Sequence, residues 1–75
     1  MEREFCYVME LNKDYILLKN VRNEIYQING SYNDGYEEEE QVILSYLERE
    51  KIGESMYRVC PESLFRFSDK AEVLK

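Results

Sequence analysis

The side chains with the greatest capacity for chemistry in this sequence are carboxylates gathered between residues 34 and 50. This window holds seven acids and a single base, Arg49, and it accounts for the whole formal net charge of −6. The acids are Asp34, Glu37, Glu38, Glu39, Glu40, Glu48 and Glu50. Clustered carboxylates can work in acid–base catalysis, ligate a cation or present a negative field to a basic partner.

Partners for the first two kinds of chemistry are missing. The sequence has no His, and Cys6 and Cys60 lie outside any CxxC motif, so neither thiol has an imidazole to activate it. We expect two buried free thiols, with a disulfide as the alternative. A calcium loop centred on Gly35 fails because its last ligand position would be Gln41 rather than a bidentate Glu. We therefore expect a protein that is not an enzyme and that needs no metal or cofactor.

A helix is predicted to position the acids. Asp34 followed by Glu37 is typical of a capping box, and Gly53 is typical of a stop just past the end of a helix. At 100° per residue, one arc of this helix is apolar and the opposite arc is acidic. The apolar arc contains Tyr36, Val42, Ile43, Tyr46 and Leu47. The sequence thus predicts a helix over residues 35–51 with one core face and one negative face.

Strand patterns flank this segment. Residues 5–11 alternate in hydrophobicity, residues 15–21 are rich in branched and aromatic side chains, and residues 24–29 place Tyr26 and Ile28 on one face. Polar breaks between them predict an antiparallel meander. Residues 56–60 and 64–68, separated by Pro61, predict a second hairpin.

The fold class expected from these elements is α+β. Residues 1–75 are expected to form one domain, a small antiparallel sheet in the order β-β-β-α-β-β with the acidic amphipathic helix packed on it. The core is expected to join Val42, Ile43, Tyr46 and Leu47 of the helix to a sheet face that contains Tyr7 and Met9. A core this small would gain from pairing with a second copy, so a homodimer is left open.

The N-terminal residues Met1-Glu2-Arg3-Glu4 precede no apolar stretch, and no run approaches the roughly 18 apolar residues of a membrane helix. We therefore expect a cytoplasmic protein without a membrane association.

The predicted helix suggests how the acids are used. Residues 37–50 would span about 20 Å of helix, and a DNA strand carries about six phosphates over that length, which is the number of glutamates in this stretch. Tyr32 and Tyr36 flank the turn into the helix, and exposed Tyr is common at binding surfaces. The residues predicted to bind a partner are Tyr32, Asp34, Tyr36, Glu37, Glu38, Glu40, Glu48 and Glu50.

In size and in the charge of residues 34–50, the chain resembles small, acidic, histidine-poor proteins, often encoded by phages, that imitate DNA. The resemblance implies a partner that is a basic nucleic-acid-binding protein, such as an HU-like protein, a polymerase, a nuclease or a glycosylase. It also implies no direct binding of nucleic acid. The alternative is a regulatory adaptor or antitoxin-like module that docks through a sheet edge or an apolar patch, with the acids kept for solubility.

Overall fold

The described part of the chain forms five β-strands, which close into a barrel. The computed structural model describes residues 1–31 and 35–67. The strands are β1 (Glu2–Leu11), β2 (Tyr15–Asn20), β3 (Ile25–Asn29), β4 (Gln41–Gly53) and β5 (Met56–Arg66). Around the barrel they follow the order β1-β2-β3-β5-β4. The expected α+β class is therefore wrong. In these residues, no helix is long and apolar enough to cross a membrane.

The strand pairing combines a local meander with long-range closure. β1 pairs antiparallel with β2, and β2 pairs antiparallel with β3, which confirms the predicted meander. β4 pairs antiparallel with both β1 and β5. The barrel closes where Ile25–Gln27 of β3 lie parallel to Met56–Arg58 of β5. This parallel pair joins segments about 30 residues apart, so local sequence patterns carry little information about it.

The barrel interior is filled by alternate residues of the strands. Val8, Ile16, Leu18, Tyr26 and Ile28 are fully buried there. The shared face of Tyr26 and Ile28 is confirmed, but the assignment of Tyr7 and Met9 to the core is wrong because both point outward and are exposed. Alternation in β1 separates two faces that are both apolar, and it does not specify which of them faces inward.

The segment predicted as a helix contains β4. Val42, Leu44 and Tyr46 point into the barrel, while Ile43 and Ser45 are buried on its outer side, so five consecutive residues are buried. A continuous buried run of this length suits a helix arc and a doubly covered strand equally well. Pairing on both edges, with β1 and β5, decides for the strand. Leu47, expected in the core, is 61% exposed.

The run of glutamates before β4 forms a turn instead of the first turn of a helix. The Glu37 amide donates a hydrogen bond to Glu40 Oε1 at 2.9 Å, and the Glu40 amide donates to the Glu37 carbonyl at 3.2 Å. Glu39 has a left-handed φ of 67°, which ends any helical continuation. Its amide donates to the Val8 carbonyl at 2.7 Å and so delivers the chain to the edge of β1.

The C-terminal hairpin predicted around Pro61 is also wrong. Met56–Arg66 form one continuous strand, β5, that contains Pro61. Pro61 lies opposite Tyr46, where the pairing with β4 shifts register on both sides. A proline is tolerated at such an irregularity because the ladder lacks a regular hydrogen bond there.

The two thiols are free but differ in exposure. Cys6 is buried and Cys60 is exposed, so only one of the two expected buried thiols is found. Burial raises the pKa of Cys6 to about 12, and the nearby charge of Glu4 adds to this. A thiol in this state is nearly inert, because the reactive species is the thiolate.

We expect Ellman's reagent to modify one thiol of the folded protein rapidly and the second only after denaturation. The Cys60→Ser variant should show no fast phase, whereas Cys6→Ser should retain it. Two fast-reacting thiols in the folded parent would contradict the placement of Cys6 in the core.

Candidate functional site

A second apolar cluster lies on the outside of the barrel, around Ile43. The cross-strand neighbours of Ile43 are Phe5 of β1 and Phe65 of β5. Ile43 is only 6% exposed although it lies apart from the main core, whereas Phe5 and Phe65 are 60% and 57% exposed. The two phenylalanines therefore shield Ile43 and leave their own rings in contact with water.

Two further aromatic residues extend this cluster. The ring of Phe67 lies 5.9 Å from that of Phe5 in an edge-to-face arrangement, which is a favourable geometry for aromatic pairs. Tyr7 follows Phe5 on the outer side of β1, and a shallow groove beside these two residues is also lined by Lys19 of β2 and by Val21, which follows that strand. We call the surface formed by Phe5, Tyr7, Ile43, Phe65 and Phe67 the aromatic face.

The aromatic face is not needed to complete the barrel interior, which is closed without it. Contiguous exposed aromatic surface is unfavourable in water and is typical of sites that bind another molecule. Sequence reasoning missed this site, although one signal was available. Both faces of β1 are apolar, but a barrel with no covering layer can bury only the face that lines its interior. The other apolar face must remain at the surface.

A polar cluster closes one end of the barrel. Glu4 accepts hydrogen bonds from the hydroxyl of Tyr26, from that of Tyr46 at 2.6 Å and from Asn20 Nδ2 at 2.9 Å. Arg22 Nη2 donates to the same carboxylate at 2.7 Å. Although burial raises the pKa of Glu4, these hydrogen bonds and the charge of Arg22 outweigh it, and the net effect lowers that pKa. The Glu4 carboxylate is therefore ionised, and its two oxygens accept four hydrogen bonds.

Glu24 forms the outer layer of this polar cluster. Its Oε1 accepts from Asn20 Nδ2 at 2.9 Å, from Arg22 Nε at 3.1 Å and from Arg49 Nη1 at 3.3 Å. The hydrogen bond from Asn20 leads the effects that lower the pKa of Glu24. Arg49 also lies 3.9 Å above the ring of Tyr57. Neither carboxylate of the cluster has the raised pKa of a general acid, and the contacts of the cluster connect all five strands.

The acids predicted to form one surface are divided between two places. Glu37 and Glu38 are exposed in the turn before β4, where Glu40 pairs with Arg66 at 2.8 Å. Glu48 and Glu50 lie on the distal part of β4. The strand from Glu40 to Glu48 spans about 26 Å at roughly 3.3 Å per residue. The structure therefore does not bring the predicted carboxylates together along one continuous line.

The ion pairs reduce the negative field further. Glu50 accepts from Arg58 Nη1 at 2.9 Å, so two of the predicted carboxylates are paired with arginines. Glu37, Glu38 and Glu39 form no ion pair with any described residue, and they constitute the strongest local concentration of exposed acid.

The predicted tyrosine and aspartate contributors are placed differently. The hydroxyl of Tyr36 donates to the Leu64 carbonyl at 3.0 Å, and its ring packs against the core near the guanidinium of Arg66. Tyr36 thus has a structural role, because it attaches the segment before β4 to β5. Tyr32 and Asp34 lie outside the described residues.

Two further observations bear on the site. In residues 1–31 and 35–67, no group of three carboxylate or thiol side chains is arranged to hold a metal ion. No protein family, curated protein or solved structure gives a significant match to this chain.

Proposed function

We propose that this protein is a non-enzymatic binding module that docks to another protein through its aromatic face. The single observation that carries the proposal is the cluster of exposed phenylalanines around the buried Ile43 on the outside of a barrel whose own core is complete.

The composition of the aromatic face supports this function. Aromatic residues are enriched at the centres of protein interfaces, and charged residues are depleted there. Phe5 and Phe65 are cross-strand neighbours of the same residue, so a partner can contact both rings at once without rearranging the backbone. Rigid aromatic side chains on strands lose little conformational freedom on binding, which favours affinity.

We expect the Phe65→Ser variant to remain folded and to lose at least about 30-fold in affinity for the partner, as is typical of a central aromatic residue in an interface. The partner would be captured from cell lysate with tagged protein, identified by mass spectrometry, purified and titrated by calorimetry. Leu47→Ser is the matched control, because Leu47 is 61% exposed, close to the 57% of Phe65, and lies in β4 four residues beyond Ile43, the residue that pairs with Phe5 and Phe65.

The control separates a specific site from general loss of apolar surface. Leu47→Ser should bind as the parent does, and both variants should give the parent's circular dichroism spectrum. Equal affinity of the parent and Phe65→Ser for the purified partner would sink the proposal.

A second candidate is mimicry of DNA by the exposed acids, which Glu37, Glu38 and Glu39 favour because no described residue neutralises them. Under this hypothesis, the triple variant Glu37→Gln, Glu38→Gln, Glu39→Gln would lose binding and would no longer compete with DNA for a basic partner. The affinity of the parent protein for that partner would also fall steeply as the salt concentration rises, because screening weakens exposed charge pairs. Docking through the aromatic face instead predicts full binding by the triple variant.

A further inference from the structure

The aromatic face carries an unusual charge pattern for a protein with a net charge of −6. Outward positions from Arg3 to Tyr7 on β1, from Gln41 to Ser45 on β4 and from Ser63 to Phe67 at the end of the chain's described part include no carboxylate. Acids exceed bases by sixteen to ten in the whole sequence. Their absence from these positions leaves this surface without the negative charge that the rest of the molecule carries.

Two cations flank the exposed rings. Arg3 lies two residues before Phe5 on the same side of β1, which places it about 7 Å away along the strand. Lys19 lies directly opposite Tyr7 on β2 and borders the groove beside Phe5. The ion pairs of the described residues engage Arg22, Arg49, Arg58 and Arg66, but neither Arg3 nor Lys19. Both cations are therefore available to an incoming group.

This pattern discriminates among possible occupants. A second copy of the chain would bring the same two cations and no carboxylate, and it would add its own excess of acid to the repulsion. A nucleic acid would gain stacking on the rings, but phosphate binding relies on many cations, and a chain with a pI near 4.6 repels it. A protein segment that is apolar at its centre and acidic on its flanks satisfies both the rings and the cations.

Building on the proposed function, we infer that the aromatic face receives such an acidic, apolar protein segment. Arg3 and Lys19 are about 14 Å apart by strand geometry, counting four residues along β1 and one strand spacing across. Carboxylates four residues apart in an extended segment have nearly the same separation, with an apolar side chain between them on the same face. The rings would supply most of the affinity, and the cations would select the acidic sequence.

The test is selection of a random peptide library displayed on phage against the immobilised protein of residues 1–75. A protein with this net charge would in general select basic peptides. Enrichment of acidic and apolar peptides whose binding requires Phe65 would therefore show that the aromatic face, rather than the overall charge, determines the selection. We expect the Arg3→Glu, Lys19→Glu variant to weaken binding of the selected synthetic peptides at least about tenfold. The Lys13→Glu, Lys51→Glu variant has the same net charge but alters bases elsewhere, and it should bind like the parent.

The outcomes are distinguishable. Selected peptides that depend on Phe65 but carry no excess of acid, or that ignore the charge reversal, overturn the inference and leave the proposed function standing. A failure to select any peptide that depends on Phe65 counts against both. Dimerisation at micromolar concentration in sedimentation velocity, if Phe65→Ser abolishes it, overturns the inference in favour of a second copy. Binding of oligothymidylate, if Phe65→Ser abolishes that binding, overturns it in favour of nucleic acid.

Discussion

Leu44→Ala should lower the free energy of unfolding by about 2–5 kcal/mol, which is enough to unfold much of a domain this small. Leu44 is fully buried inside the barrel, between the strands that pair with both edges of β4. Removing its side chain leaves a cavity that the rigid strand ladders cannot close. Urea denaturation followed by circular dichroism gives the loss directly.

Leu47→Ala is the control for this measurement, because the two leucines are three residues apart in the same strand. A helix over residues 35–51 would bury Leu47, whereas β4 leaves it exposed. We therefore expect Leu47→Ala to change the free energy of unfolding by only about 0.5 kcal/mol. A larger loss for Leu47→Ala than for Leu44→Ala would refute the barrel and restore the helix.

The second large effect is expected at the polar cluster. Glu4→Ala should cost about 3 kcal/mol, because it leaves the Tyr26 and Tyr46 hydroxyls without their carboxylate acceptor and removes the ion pair with Arg22. Replacement of the exposed Glu2, which is adjacent in sequence, provides the control and should have little effect.

Glu4 also predicts how stability depends on pH. Its pKa in the folded protein lies below the reference value of 4.5, so the unfolded chain takes up the proton first as the pH falls. The stabilisation is therefore complete above pH 4.5 and is lost as the pH falls through the lower pKa of the folded state. The free energy of unfolding, measured by urea denaturation across this pH range, should depend less on pH for Glu4→Gln, which cannot ionise, than for the parent. An equal dependence on pH in the two proteins would show that Glu4 is not responsible for the loss of stability in acid.

Sequence patterns predicted the first three strands and their meander because the signals there are local. Alternation within β1, the branched and aromatic composition of β2, and the polar break at Arg22-Asn23 depend only on neighbouring residues. The same patterns failed for β4. The run from Val42 to Tyr46 has no alternation, since the barrel buries its inner side and the outer phenylalanines cover Ile43.

The candidate site was beyond sequence reasoning for a related reason. Phe5 and Phe65 lie near opposite ends of the described chain, and they meet only because β4 pairs with both β1 and β5. Conversely, Glu40 and Glu48 are close in sequence and would lie near each other in a helix, but an extended strand separates them.

Composition alone determined the acidity of this protein, its lack of histidine and its capacity for a small apolar core. Local pattern determined three strands and the turns between them. Tertiary structure decided the rest: which side of β1 faces inward, whether residues 41–53 are strand or helix, and which exposed side chains lie together. These outcomes depend on pairing between segments distant in sequence, and closure of the barrel contributes more free energy than the local preferences it overrides.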